Sequence, residues 1–188
     1  FKGPIIQTDF AFLSTSDEPS SYITILTAID VRTGLAMAVV VPSKSPNRYS
    51  LTEFKRFIFE TGRTYAMVQS DDEPSIKALV KTVLEELGGL QQRVAPTGSS
   101  QSQGSAERFH QTLFAQVRVL RIAVVQRYKL ELGDLTVSHP VFSWVVKHAA
   151  WLLNRFLVHD DGKTSFERRW THSSPPAIAE FSETVLFR

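Results

Sequence analysis

The stretch from residue 104 to about residue 128 restricts the possible folds more than any other part of the chain. Its apolar side chains recur at steps of three and four residues, which predicts one long helix with a buried stripe. The stripe consists of Phe109, Leu113, Val117, Leu120 and Val124. Glu107, Arg118 and Arg121 fall on a separate face, roughly 120° away around the helix. Ser105 is the predicted N-cap.

Glu107 opens this helix and admits two interpretations. A carboxylate in a first turn stabilises the helix dipole, and this alone can explain an isolated Glu. A carboxylate followed on its own face by arginines can also hold a cation beside a phosphate backbone. The residues of the helix leave both interpretations open. The preceding segment, residues 96–103, is rich in Ser, Gly and Gln and is expected to be a flexible loop.

The composition indicates one globular domain and excludes several classes of site. The chain has 188 residues, of which 43% are hydrophobic, enough for a substantial core. Apolar runs stay well below the roughly 18 residues that a membrane-spanning helix needs. There is no cysteine, which excludes disulfides, thiolate catalysis and cysteine-based zinc sites within this sequence. No signal-like segment opens the chain, which is expected to be a fragment of a longer protein.

The charge is nearly balanced overall but is unevenly placed. The formal net charge is +2. From Arg93 to Lys129 there are six basic residues and a single acid, Glu107. A basic strip of this kind is typical of surfaces that bind phosphate backbones, although a solvated surface can carry one too.

An acid lies at the centre of the first predicted strand, residues 5–13. With the period of two that strands follow, Asp9 shares a face with Gln7 and Ala11, while Ile6 and Phe10 take the other. A charge within an apolar strand is unfavourable unless it is paired or binds a metal. The alternative is a residue of an edge strand that faces water.

The remaining pattern predicts strands at residues 22–29, 35–41, 65–70 and 90–95, with a closing strand at 185–187. A helix opening at Asn47 or Ser50, and others at residues 74–87, 141–157 and 164–170, complete the pattern. Asp30 is interpreted as a turn residue without chemistry, and His148 as a packing residue between helices and not a ligand. The helix at 141–157 is expected to turn six side chains inward: Trp144, Val145, His148, Trp151, Leu152 and Phe156. This order predicts an α/β fold, a mixed sheet with helices on both faces.

Three acids stand out within this order: Asp9 in mid-strand, Asp71 at a strand end, and Glu107 at a helix start. Between Asp71 and Glu107 lie 35 residues. The tripeptides ending at Asp9 and Asp71, and the segment 102–108, resemble the catalytic core of retroviral and LTR-retrotransposon integrases, the Asp-Asp-Glu polynucleotidyl transferases. The C-terminal segment, Asn154-Arg155 and then residues 162–170, resembles the end of copia-type retrotransposon cores.

The resemblance implies a ribonuclease-H-like fold with a five-stranded mixed sheet. It implies a catalytic core over residues 1–172, followed at 173–188 by a linker and the start of a C-terminal extension. The expected activity is Mg²⁺-dependent 3′-end processing and strand transfer of retroelement DNA into target DNA. The expected partners are double-stranded DNA, both element ends and target, and further copies of the chain in a homo-oligomer, with no membrane. The expected location is the nucleus, within an integration complex, or otherwise a cytoplasmic particle.

Two other functions are open. The chain can be a transposase or nuclease of the same fold, or a catalytically decayed copy retained as a DNA-binding module. The presence of all three acids disfavours the decayed copy. The Asn154 to Trp170 stretch disfavours the transposase.

The resemblance also implies the ligands of two Mg²⁺ ions, for which Mn²⁺ is a possible substitute. Asp9 would contact both ions, Asp71 one and Glu107 the other. Oxygen ligands suit Mg²⁺, and a pair of ions about 3.5–4 Å apart can serve in-line displacement at phosphorus. The attacking group would be water in end processing and a DNA 3′-hydroxyl in strand transfer, with no covalent protein–DNA intermediate.

The sequence departs from the family pattern at two places. Asp72-Glu73-Pro74 follows Asp71 where the family usually has Asn or Gly and then Gly, and this crowds negative charge at the site. Asp71 fits the family spacing better than Asp72, which is suitably placed to interact with a helix N-terminus. Retroviral cores carry Lys one and two turns after the Glu, where this chain has Gln111 and Phe114. The candidate DNA contacts are therefore Arg108, Gln111, Arg118 and Arg121.

Overall fold

The computed structural model describes residues 3–15, 22–95, 104–173 and 181–183. Five strands and five helices follow one another in the predicted order. They are β1 (Ile5–Ser14), β2 (Tyr22–Asp30), β3 (Ala36–Val41), α1 (Arg48–Thr61), β4 (Ala66–Ser70), α2 (Pro74–Leu87), β5 (Leu90–Val94), α3 (Gly104–Tyr128), α4 (Phe142–Phe156) and α5 (Ser165–Trp170). The closing strand predicted at 185–187 and the loop predicted at 96–103 lie outside the described residues.

The five strands form one mixed sheet in the order β3-β2-β1-β4-β5. The first three strands form an antiparallel meander. The last two run parallel to β1, which is central to the sheet. Parallel neighbours require crossover connections, and α1 and α2 supply them. The predicted mixed α/β architecture is confirmed.

The alternation of β1 divides the protein into two apolar layers. Ile6 and Phe10 join the layer formed with α1 and α2. Ala11 joins the opposite layer, formed with α3 and α4. Because successive side chains of a strand point to opposite faces, Gln7 and Asp9 lie on the α3 side of the sheet. The predicted division of the strand is confirmed.

Local sequence signals set most helix starts, and one predicted start is wrong. Asn47 caps α1 through bonds from the backbone N–H groups of Tyr49 and Ser50. The helix α3 begins at Gly104, so the prediction that Ser105 is the N-cap is wrong, because Ser105 already lies within the first turn.

Two side chains of α4 face the solvent against prediction. Trp144 is 67% exposed and Phe156 46% exposed, so the prediction that both turn inward is wrong. Val145 is buried as predicted, and Val146 and Ala149 join it in the apolar layer.

Two polar residues fasten the periphery of the sheet. Asn154 of α4 bonds both the N–H and the C=O of Ala36, and this ties the helix to the outer strand β3. Asp30 is fully buried at the end of β2, where its Oδ2 lies 2.7 Å from Nη2 of Arg63. Asp30 also accepts the backbone N–H of Arg32, so it is the predicted turn residue and, in addition, half of a buried ion pair. No helix in the described parts of the chain is long and apolar enough to cross a membrane.

Candidate active site

Two of the three candidate carboxylates meet because β1 and β4 are parallel. Their pairing ends with Gln7 opposite Gln69. Continued by two residues, the same register places Asp71, which follows the carboxyl end of β4, beside Asp9 in the middle of β1. The two acids therefore lie at the edge of the sheet formed by the carboxyl end of β4. In open α/β sheets, ligands typically bind outside this edge.

The electrostatics of Asp9 reflect this crowding. Burial, and then the negative charge of Asp71, raise the pKa of Asp9 from 3.8 to about 6. The charge of Glu73 raises it further, while the backbone N–H of Phe10, which donates to Asp9 Oδ1 at 2.8 Å, and the charge of Lys44 lower it. A carboxylate held near others in a partly buried place is relieved by a bound cation. The structure therefore brings Asp9 and Asp71 together in surroundings that favour a divalent ion.

Asp71 and Asp72 differ in their contacts. The Oδ1 of Asp71 accepts the backbone N–H of Glu73 at 3.2 Å, and Asp71 is only partly exposed. Asp72 is exposed, and its Oδ1 lies 2.7 Å from Nζ of Lys77 on α2. Of these two carboxylates, it is that of Asp71 whose negative charge raises the pKa of Asp9.

The helix that carries Glu107 is anchored to the sheet on both sides of this residue. The backbone N–H of Ala106 donates to Oε1 of Gln7 at 3.0 Å. One turn later, Nε2 of His110 lies 2.7 Å from Oγ1 of Thr27, the residue paired with Asp9 across β1 and β2. The Thr27 hydroxyl donates its single proton to the backbone oxygen of Asp9, so His110 Nε2 is the donor in the second contact. Burial also lowers the pKa of His110, which agrees with a neutral ring.

The Glu107 carboxylate itself is exposed and does not join the other two acids. Among the residues that the structure describes, no group of three or more His, Asp or Glu side chains could hold a metal ion. The oxygen donors of Asp9 and Asp71 fit a divalent cation, and the anchors on either side of Glu107 hold its backbone against β1 and β2. The structure thus places Asp9 and Asp71 near each other and Glu107 apart from them, and the ligand set stays a prediction.

The four candidate DNA contacts on α3 are not equivalent. Arg108, Gln111 and Arg118 are exposed. Arg121 is half-buried, and its Nε donates to the backbone oxygen of Leu135 at 2.7 Å while its Nη2 contacts the backbone oxygen of Leu132. Arg118 and Arg121 together line a shallow cavity of about 300 Å³ beside the end of β1. Arg121 therefore has a structural task in addition to any contact with DNA.

His148 packs as predicted. Its ring stacks on Trp151 with centroids 5.3 Å apart and lies 4.9 Å from the ring of Phe181. Burial lowers its pKa. These contacts agree with a packing role between helices.

Sequence reasoning missed Lys44, which follows β3. Its Nζ lies 2.7 Å from Oε2 of Glu73, beside the Asp9–Asp71 pair. The excess of acids after Asp71 was a signal that a cation was needed nearby. Nothing in the sequence distinguished Lys44 from other lysines as that cation, because the two residues are 29 positions apart.

Solved structures with the same architecture are integrase domains. The catalytic core domain of BIV integrase matches 89% of this chain and 93% of its own with a TM-score of 0.58 and 20% identity. The HTLV-2 integrase catalytic core domain, solved in complex with magnesium in a trimeric form, matches with a TM-score of 0.57 and 14% identity over 88% of this chain and 95% of its own. This chain has the fold of a retroviral integrase core.

A larger assembly gives the same result. The simian T-cell lymphotropic virus intasome, solved in complex with the PP2A regulatory subunit B56 gamma, matches 97% of this chain with a TM-score of 0.65 and 15% identity. The match spans 60% of that integrase chain. Neither models of protein families nor curated proteins give a match to this sequence. At these identities the likeness establishes the ribonuclease-H-like integrase-core fold, and function has to be argued from the site.

Proposed function

We propose that this chain is the catalytic core of a retroelement integrase, which processes the 3′ ends of element DNA and joins them to target DNA. The observation that carries the proposal is the meeting of Asp9, in the middle of β1, with Asp71, which follows the carboxyl end of the parallel strand β4. The third acid, Glu107, opens a helix that is anchored to the same strand through Gln7. The integrase-core fold is the setting in which this arrangement has a use.

Asp9, Asp71 and Glu107 would hold two divalent ions, Mg²⁺ or Mn²⁺. Such ions, when bound, supply Lewis-acid activation of the attacking oxygen and charge stabilisation of the leaving one. Asp9 has to be ionised to act as a ligand, and its pKa of about 6 makes ligation weaker in acid. Exposed Arg108 and Arg118 on α3 can contact phosphates and orient the DNA strand toward the carboxylates. The protein thus contributes position and charge, and no covalent intermediate.

The proposal also covers the source of the chain, its domain bounds, its partners and its location. The C-terminal stretch supports a copia-type retrotransposon as the source. We place the catalytic core at residues 1–172 and a linker to a C-terminal extension at 173–188. The expected partners are double-stranded DNA and further copies of the chain, as the oligomeric and intasome forms of the similar integrases support. Action on chromosomal DNA requires the nucleus, with a cytoplasmic particle as the earlier stage.

The direct test is a metal-dependent joining assay. Disintegration of branched DNA, followed in Mg²⁺ and in Mn²⁺, should be detectable with the unaltered chain and abolished by Glu107→Gln. This change keeps the shape of the side chain and removes its charge, so DNA affinity and melting temperature should stay close to those of the unaltered chain. A matched pair settles the second acid: Asp71→Asn should be inactive, and Asp72→Asn, which breaks the exposed contact to Lys77, should retain most activity.

The results also separate the alternatives. Cutting without joining would identify a nuclease or transposase of the same fold. A flat metal titration, with DNA binding intact, would identify a decayed DNA-binding module. Loss of activity in Asp72→Asn but not in Asp71→Asn would move the metal site by one residue.

A further inference from the structure

Glu73 occupies the N-cap position of α2 but does not cap the helix. Its backbone has the extended conformation typical of an N-cap, with φ −66° and ψ 128°, yet its side chain makes no capping hydrogen bond. Ser, Thr, Asp and Asn are the residues that favour this position. The Glu73 carboxylate is instead bonded to Lys44 at 2.7 Å. The Glu73 side chain therefore pairs with Lys44, which follows β3, and leaves the N-terminus of α2 without a side-chain cap.

Lys44 is fixed by more than the ion pair. Its Nζ lies 4.7 Å from the ring centroid of Phe12 and 6.0 Å from that of Phe10, both on β1. Contact of an ammonium group with aromatic faces is favourable. The Lys44 side chain is 33% exposed and that of Glu73 27% exposed, so the pair is only partly screened by water.

Both members of the pair are connected to the candidate metal ligands. The backbone N–H of Glu73 donates to Oδ1 of Asp71 at 3.2 Å. The backbone N–H of Phe10, whose ring contacts Lys44, donates to Oδ1 of Asp9 at 2.8 Å. Glu73 is therefore linked to a carboxylate of the site by one hydrogen bond, and Lys44 by its contact with Phe10 followed by one hydrogen bond.

The two charges of the pair act on Asp9 in opposite directions. Glu73 disfavours its ionised form and Lys44 favours it. A cation placed at Asp9 and Asp71 would experience the same two charges with the signs reversed: attraction from Glu73 and repulsion from Lys44. Lys44 thus offsets part of the negative charge of three neighbouring acids, Asp9, Asp71 and Glu73.

We propose that the Lys44–Glu73 ion pair is a positioning and charge-balancing element that sets how tightly Asp9 and Asp71 bind a divalent cation. Glu73 strengthens the binding and Lys44 weakens it, and neither needs to contact the ion. This inference rests on the proposed function, because it concerns the affinity of the same site. It gives a specific role to Glu73, the second residue after Asp71 in this chain.

The test measures Mn²⁺ affinity without any reaction. Free Mn²⁺ is quantified by electron paramagnetic resonance in titrations of the full chain at pH 7.5 and low salt. Glu73→Gln should weaken binding by about threefold to tenfold, and Lys44→Met should tighten it by a similar factor, as one partly screened charge would. The double variant should return close to the starting affinity. Lys44→Arg keeps the charge and should change little, and all differences should shrink in 0.5 M salt, roughly beyond the Debye range.

A neighbouring ion pair provides the matched control. Lys77 and Asp72 lie at the same 2.7 Å, but their side chains are 37% and 59% exposed. Lys77→Met and Asp72→Asn should each change the Mn²⁺ affinity by less than about twofold, because exposed charges are screened. Equal effects of the two pairs would overturn the inference, since they would indicate only the net charge of the region.

The outcomes distinguish this inference from the proposed function. If the unaltered chain binds Mn²⁺ and Asp9→Asn abolishes binding, while Glu73→Gln and Lys44→Met leave it unchanged, the pair is only structural and the metal site stands. If the unaltered chain does not bind Mn²⁺ at all, the proposed function and the inference both fail. Circular dichroism and melting curves establish that each variant is folded. If Lys44→Met is not folded, Lys44→Gln, which also removes the charge, takes its place.

Discussion

At the scale of single residues, Asp9 combines two roles that oppose each other. Folding places its carboxylate in a partly buried position beside Asp71, which disfavours the charge. A metal ligand, however, has to carry that charge. Sites of this kind reduce the stability of the folded state so that a cation can be bound, and perturbed carboxylates are frequent at functional sites for this reason.

The pH dependence of stability should show this opposition. A raised folded-state pKa means that the folded chain holds the Asp9 proton more tightly than the unfolded chain does. The associated stability is complete below pH 3.8 and is lost as pH rises through about 6. Asp9→Asn should therefore raise the free energy of unfolding at pH 7.5 by at most about 3 kcal/mol, and by much less at pH 4. Urea unfolding in EDTA at the two pH values measures both.

Asp72→Asn provides the comparison at this scale, because Asp72 is exposed and paired with Lys77. It should change stability by less than about 1 kcal/mol at either pH. If Asp9→Asn instead destabilises the chain at pH 7.5, the Asp9 carboxylate has a stabilising partner in the folded chain. Its charge is then not unfavourable in the absence of a cation.

Sequence reasoning reached the acids but not their surroundings. Asp9 and Asp71 were found because a charge in an apolar strand and a charge at a strand end are visible as local breaks in a pattern. Lys44 and Glu73 meet only after α1 and β4 have been placed between them. Similarly, the burial of Asp30 was not visible, because its partner Arg63 lies 33 positions further along the chain. Pairs of this kind depend on tertiary structure, which a single sequence records only indirectly.

At the scale of elements, the first turn of α3 depends on β1. The Ala106 N–H belongs to the group of N-terminal N–H donors that a helix cannot satisfy internally, and Gln7 accepts it inside the protein. The sequence analysis placed the cap in Ser105, because local capping is the commoner solution. Here the buried side chain of Gln7, 99 positions earlier in the sequence, accepts the N–H, and it also fixes the turn that carries Glu107.

Gln7→Met should test this connection. The change keeps most of the volume but leaves the Ala106 N–H without its acceptor, which should lower the free energy of unfolding by about 1–3 kcal/mol. Metal-dependent joining should fall further than stability alone explains, because the Glu107 turn loses an anchor. Urea unfolding and the disintegration assay, run on the same preparations, measure the two effects.

Gln91→Met on β5 is the control for Gln7→Met, since Gln91 is exposed. Its effect should stay within about 0.5 kcal/mol. An equally small effect of Gln7→Met would show that water or another group replaces the lost acceptor.

The arginines of α3 should separate into two kinds. Arg121 bonds backbone oxygens of the segment before α4, so Arg121→Ala should lower the free energy of unfolding by about 1–3 kcal/mol. Exposed Arg118 should leave stability unchanged, and Arg118→Ala should weaken DNA binding about equally for different sequences, with a salt slope lower by roughly one. Fluorescence anisotropy with labelled duplexes at several salt concentrations measures the slope. An unchanged slope would leave Arg118 as a surface charge.

At the scale of the whole molecule, one sheet separates two apolar layers. Phe54 on α1 belongs to one layer and Phe142 on α4 to the other, and both are fully buried. The sheet contributes side chains to both, so neither layer can be lost without exposing the opposite face of the same strands. This predicts that the two layers unfold together, although they touch different helices.

Alanine substitutions in each layer should show this coupling. Phe54→Ala and Phe142→Ala should each lower the free energy of unfolding by about 3–5 kcal/mol, because each removes a large buried side chain and leaves a cavity. Phe59→Ala, also on α1 but 68% exposed, should change it by less than about 0.5 kcal/mol. In all three variants, tryptophan fluorescence and far-ultraviolet circular dichroism should follow one transition in urea. Trp170 packs against the first layer and Trp151 lies on α4, so the fluorescence samples both sides of the sheet. Two separated transitions in Phe54→Ala or in Phe142→Ala would mean that the layers are independent folding units. The helix α3, with Glu107, could then detach from the strands that carry Asp9 and Asp71.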